Sequence, residues 1–164
     1  MATPTYTLID SVTLGSSASS VTFSSLNTSA SGYQDLVLVM NSKVTAGGDE
    51  VSIRFNDSST SDYYGVRMTG NGVSTSSGTQ SGTALQFNMT TITNSDQVLL
   101  TVDMMDFSQT NKQKSVLSRY NRSTGGVEVW AQRWSSLSAI NSITVFCGSA
   151  FAVGGTFFLY GIEA

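Results

Sequence analysis

Carboxylates come first, because two of them in opposed environments at a fixed gap suffice for glycan hydrolysis. The chain offers three groupings: Asp103 and Asp106 around two methionines, Asp57 and Asp62 in one polar stretch, and the adjacent Asp49 and Glu50. No spacing among them marks an acid and a base, and Asp49-Glu50 reads as part of a turn. Asn56-Asp57-Ser58 with Asp62 supplies hard oxygen ligands of the kind calcium takes, but without the ordered Asp-x-Asp-x-Asp-Gly spacing of a calcium loop. Lys112, Lys114 and Ser115 are the residue types of a Ser–Lys nucleophile. A lysine base must be desolvated to lose its proton near neutral pH, whereas the flank Ser108-Gln109-Thr110-Asn111 reads as a wet hairpin loop. The chain contains no histidine, which excludes Ser-His-Asp and Cys-His catalysis and any histidine zinc site. Cys147, the single cysteine, sits in the apolar run Ile143-Thr144-Val145-Phe146-Cys147 and reads as a buried small hydrophobe. Gly70-Asn71-Gly72 is a turn, not a phosphate cradle. Asn-x-Ser/Thr sequons at Asn27, Asn56, Asn88 and Asn121 follow from the hydroxyl-rich composition. The expectation is a non-enzyme with no catalytic residue, no metal and no cofactor.

Aromatic residues are the better candidates for binding. Period two along Val127–Trp134 places Glu128, Trp130, Gln132 and Trp134 on one face, with Val127, Val129 and Ala131 on the other. With the valines facing the core, Trp130 and Trp134 are presented outward, as a subunit interface or as a platform for sugar rings. Tyr63 and Tyr64, beside the Asn56–Asp62 stretch, invite the same two readings.

These residues must be positioned by a chain of 164 residues, long enough for one domain (1–164) with a core of its own. Only 12% of the side chains are charged, about half the usual fraction, while Ser and Thr fill about three positions in ten. A net charge of −3 and a sequence pI near 4.6 argue against a nucleic-acid partner, which needs a basic face. No apolar run approaches the roughly 20 residues of a membrane helix. Met1-Ala2-Thr3-Pro4 shows neither the basic nor the apolar region of a signal peptide, so a soluble protein made in a cytoplasm is expected.

The order in the sequence has period two. Tyr6, Leu8, Val12 and Leu14 alternate with polar neighbours, interrupted at Asp10, and Val21 with Phe23 starts a second run. Leu36-Val37-Leu38-Val39-Met40 is continuously apolar, as in a strand covered on both faces. Val51, Ile53 and Phe55 alternate next, then Tyr64, Val66 and Met68, then Leu85, Phe87 and Met89, then Val98, Leu100, Val102 and Met104. Further runs span Ser115–Asn121, Val127–Trp134, Ser142–Cys147 and Thr156–Ile162. Turn-forming clusters such as Gly47–Glu50, Asn94–Asp96 and Ser123–Gly126 separate them. Gly15–Ser20 and Ser74–Thr83 read as surface loops, and no helical stripe exceeds one turn. The predicted fold is all-β: an antiparallel, jelly-roll-like β-sandwich of about ten short strands.

Several strand phrases, among them Tyr33–Val39, Ile53-Arg54-Phe55-Asn56, Lys114–Arg119, Ala139–Thr144 and Gly155–Ile162, resemble a bacteriophage virion-protein family. The resemblance implies a jelly-roll module on the phage particle, either a capsid decoration (cement) protein or the tip of a tail or head fibre. It carries no catalytic motif. With the first strand starting near Tyr6, the chain leaves little room for a fibre shaft, so the expected role is the shell-docking subunit. That role implies the major capsid protein as partner, a homotrimer, and a place on the virion surface. The alternative, a receptor-binding fibre tip, implies host glycan as ligand.

Overall fold

Alternating apolar residues become strands here because each strand can bury one side against a second layer. The computed structural model describes residues 5–163 apart from 48, 93 and 124; Met1–Pro4 and the side chains of residues 49 and 88–92 lie outside the described residues. Its elements are β1 (Tyr6–Thr13), β2 (Ala18–Phe23), the single turn α1 (Leu26–Ser29), β3 (Tyr33–Ser42), β4 (Asp49–Phe55), β5 (Tyr63–Gly70) and β6 (Thr75–Gly82). They continue with β7 (Leu85–Ile92), β8 (Val98–Met105), β9 (Lys114–Arg122), β10 (Gly126–Trp134), β11 (Ile143–Phe151) and β12 (Thr156–Glu163).

The strands form an eight-stranded sheet, β1-β12-β3-β8-β9-β10-β5-β6, and a four-stranded sheet, β2-β11-β4-β7. Antiparallel pairing of β1 with β12, β2 with β11, β3 with β8 and β4 with β7 is that of one long hairpin rolled up, successive strands alternating between the sheets. This is a jelly roll, the all-β sandwich the alternation implied. Two further hairpins interrupt it: β5–β6 lies between β4 and β7 in the chain, and β9–β10 between β8 and β11. Both join the same side of the larger sheet, through the β8–β9 and β10–β5 ladders. β7 packs beneath β10 and β5, so the larger sheet extends past the smaller one.

The core fills the gap between sheets. Leu38, Leu100, Val102, Phe157 and Leu159 point inward from the larger sheet, and Phe23, Val51, Ile53, Phe55, Ile143 and Val145 from the smaller, all buried. Phe151 meets Phe157 edge-on at 5.1 Å between ring centroids. Each such side chain removed from water contributes roughly 1.5–3 kcal/mol. Cys147 is buried in β11, as its apolar run implied. Asp10 follows a β-bulge: the register shifts between Leu8 and Asp10, leaving Ile9 unpaired and turned toward the core.

Three local expectations change. Ser74–Thr83 is no loop but contains β6, eight residues without a buried side chain, held by the continuous β5 ladder. Gly15–Ser20 is partly strand, since β2 begins at Ala18. Asp49 and Glu50 open β4 rather than closing a turn.

Candidate functional site

Register decides which side chains the added hairpins show to solvent. In β10, Glu128, Trp130, Gln132 and Trp134 point inward and are buried, while Val127 and Val129 are 49% and 38% exposed. The expected orientation of this strand is reversed: its valines face solvent and its tryptophans lie in the core. Trp134 stacks on Tyr63 at 6.2 Å and 19°, and tilts against Phe55 at 5.6 Å. Trp130 donates its indole N–H to the buried carboxylate of Glu128 at 2.5 Å, beneath the Arg67 guanidinium at 5.7 Å. Tyr63 is fully buried as well, its hydroxyl accepting the Phe55 N–H at 3.0 Å, and burial pushes its pKa up to about 12. Trp130, Trp134 and Tyr63 therefore cannot serve as a sugar platform or contact another subunit. Of the four aromatic candidates Tyr64 alone is at the surface, its ring under Arg133 at 5.2 Å.

The catalytic candidates also separate. Asp103 lies on the outer face of β8, whereas Asp106, past the end of that strand, holds Lys112 at 2.9 Å. Asn56 and Asp57 direct their side chains into protein hydrogen bonds. Asn56 Nδ2 donates to the Ala139 carbonyl at 2.8 Å, its Oδ1 accepts the N–H groups of Asn141 and Ser142, and Asp57 accepts from the Thr144 hydroxyl at 2.9 Å. Lys114 is buried rather than wet, its ammonium donating to the carbonyls of Gln109 at 2.5 Å and Lys112 at 2.9 Å. Desolvation lowers its pKa, the nearby Asp106 opposes that shift and Lys112 adds to it. Ser115, the next residue along the strand, is exposed on the opposite face, so the two make no Ser–Lys pair.

What the register does bring together is the outer face of the larger sheet. One row of facing residues reads Leu8, Tyr160, Val37, Asp103, Leu117, Ala131, Val66 and Thr79 across all eight strands. The next reads Ser11, Phe158, Val39, Thr101, Arg119, Val129, Met68 and Ser77. Among the described residues, ten of the thirteen large apolar side chains left exposed lie on this face, from Tyr6 (55%) and Leu8 (51%) to Val66 (54%) and Met68 (66%). The outer face of the smaller sheet instead shows Ser20, Thr22, Arg54 and Thr144 around Phe146. Near the middle of the apolar face is a concavity of about 600 Å³, lined by Tyr6, Tyr160, Val39, Leu117, Asp103 and Arg119 among others. Desolvation raises the pKa of Asp103; the Arg119 charge opposes the rise and Asp35 adds to it.

Sequence reasoning missed this face because Tyr64, Val66 and Met68 alternate just as core residues do. One glycine carried the missing signal. A Cβ on Gly65 would lie 2.7 Å from Gln132 Cγ and 3.3 Å from the Trp130 ring, so the space above Gly65 belongs to a large inward side chain of β10.

No protein-family model and no curated protein matches this chain.

Proposed function

We propose that the protein is a structural virion component, a capsid decoration protein that docks on a phage shell through the outer face of its eight-stranded sheet. The observation that carries this reading is the concentration of exposed apolar side chains on that face, opposite a hydroxyl-rich one. Contiguous apolar surface beyond a few hundred Å² marks interaction sites in soluble proteins. The jelly roll supports the same reading as a rigid two-sheet platform, one face for the shell and one for solvent. The major capsid protein is the partner so proposed, and the virion surface the location. The fibre-tip alternative loses its sugar platform with the burial of Trp130 and Trp134.

The test is reconstitution. Particles made without the protein lose heat tolerance, and adding the purified chain restores it. Met68→Asp and Val129→Asp, exposed on the docking face, abolish restoration while leaving the free protein's melting temperature within a few degrees. Particles that stay equally robust without the protein, yet fail to adsorb to cells, overturn the decoration role in favour of the fibre tip.

A further inference from the structure

The larger sheet ends in two open edges, β1 and β6, and they are built differently. Edge strands are normally blunted by charge, proline or a bulge. β1 has both a bulge and Asp10. β6, Thr75-Ser-Ser-Gly-Thr-Gln-Ser-Gly82, has no charge and no proline, and its ladder with β5 is unbroken from Gly70–Thr75 to Tyr63–Gly82.

The hairpin fixes which backbone groups this edge offers. Asn71 N–H donates to the Ser74 carbonyl at 3.2 Å across the turn. Counting from that pair, the even-numbered residues of β6 exchange hydrogen bonds with β5, and Thr75, Ser77, Thr79 and Ser81 point N–H and C=O away from the sheet. These outward groups meet no backbone partner among the described residues.

We infer that β6 is a self-association edge, pairing antiparallel with β6 of a second copy of this chain about a two-fold axis at Gly78. That register sets Thr75 against Ser81 and Ser77 against Thr79 of the second copy, giving about eight hydrogen bonds at two per facing pair. Gly78 then faces its own counterpart in a narrow pair, where the two backbones approach most closely, and it presents no side chain there. From below, β7 packs mainly under β10 and β5 and meets β6 at Gln80 through Gln86, while the Arg67 side chain covers Gly78 on that side. Gln80, bonded to Gln86, Gln132 and the Ala84 carbonyl, holds the strand flat against its own sheet. Pairing also continues the apolar face across the axis: Met68, Ser77, Thr79 and Val66 fall in one row, the last two from the second copy. A net charge of −3 opposes the approach of two copies only weakly. The inference is independent of the shell partner, and it gives a dimer rather than the trimer that the family resemblance implies.

Sedimentation velocity at micromolar concentrations, with amide hydrogen exchange, tests it. Twice the 17.4 kDa chain mass is expected, with the amides of Ser77, Thr79 and Ser81 protected. Thr79→Pro removes one outward N–H without touching the β5 ladder, and Ser77→Lys places a charge at the axis. Each weakens association about tenfold or more and exposes those amides to exchange, while the melting temperature of the monomer changes little. If Thr79→Pro fails to fold, Ser77→Lys decides alone. A wild-type chain that stays monomeric, or a dimer or trimer whose mass is unaffected by Ser77→Lys, overturns the inference.

Discussion

Replacing Trp134 by alanine tests the inverted orientation of β10, on which both the core and the proposed docking face depend. Trp134 is 2% exposed and lies between Tyr63 and Phe55. Truncating a buried tryptophan costs about 3–5 kcal/mol, and each lost aromatic pair adds about 0.5–1.5 kcal/mol beyond its area. One effect opposes these. The indole N–H is buried with no acceptor among the described residues, and removing such a group recovers about 1–3 kcal/mol. The net loss is about 3–5 kcal/mol, which at 2–4 °C per kcal/mol lowers the melting temperature by about 6–20 °C. Trp134→Phe keeps a ring in the stack and discards the unpaired N–H, so it stays within about 1.5 kcal/mol of wild type. Val129→Ala, on the exposed face of the same strand, changes stability by less than about 1 kcal/mol. Urea unfolding with a constant m-value measures all three. A Val129→Ala loss larger than that of Trp134→Ala would refute the orientation.

Further outcomes follow from polar side chains held by hydrogen bonds inside the protein. Desolvation raises the pKa of Glu128 above its unfolded value, against the Trp130 hydrogen bond and the Arg67 charge that pull it down. Between those two values the folded chain keeps a proton that the unfolded chain has lost, so stability falls as pH rises through that window; Glu128→Gln removes the slope in urea titrations and is the more stable form at neutral pH. Lys114→Met leaves the carbonyls of Gln109 and Lys112 without their charged donor, a loss of about 1.5–3 kcal/mol in thermal unfolding. Asn56→Ala deletes three hydrogen bonds to the 139–142 segment at a residue with φ of 54°, costing about 2–4 kcal/mol; chelator leaves the wild-type melting temperature unchanged, because these side chains are engaged with protein rather than a cation.

The jelly-roll strands were legible in the sequence because each buries one apolar side against the opposite sheet: Val51-Ile53-Phe55 and Val98-Leu100-Val102-Met104 point inward as their alternation says. The added hairpins obey other physics. Beneath β9 and β10 the buried side mixes Trp, Glu, Gln, Ser and Lys with Val116 and Tyr120, some of them joined by hydrogen bonds such as Ser118 with Gln132 at 3.3 Å, while the apolar side of β10 is exposed. A rule that turns valines inward and polar residues outward inverts such a strand. β6 was illegible for a different reason. With no side chain to bury it has no hydrophobic period, and its conformation is set by a neighbour in the sheet.

The pairing of β12 between β1 and β3 has a consequence for how the protein is made. β1 and β3 leave the ribosome about 143 and 114 residues before the segment that joins them, and fixing a strand in place costs about 1.5 kcal/mol or more per residue, which until then β3 can offset only against β8 and β1 against no strand. Until residues 156–163 emerge, Leu36–Met40 has no neighbour on one side and β1 has none at all. Synthesis is therefore a period of exposure for the most apolar strand of the chain, ended by the arrival of β12. A ribosome stalled, or a message truncated, shortly before Thr156 would release a chain with sticky edges where the finished sheet has a closed seam.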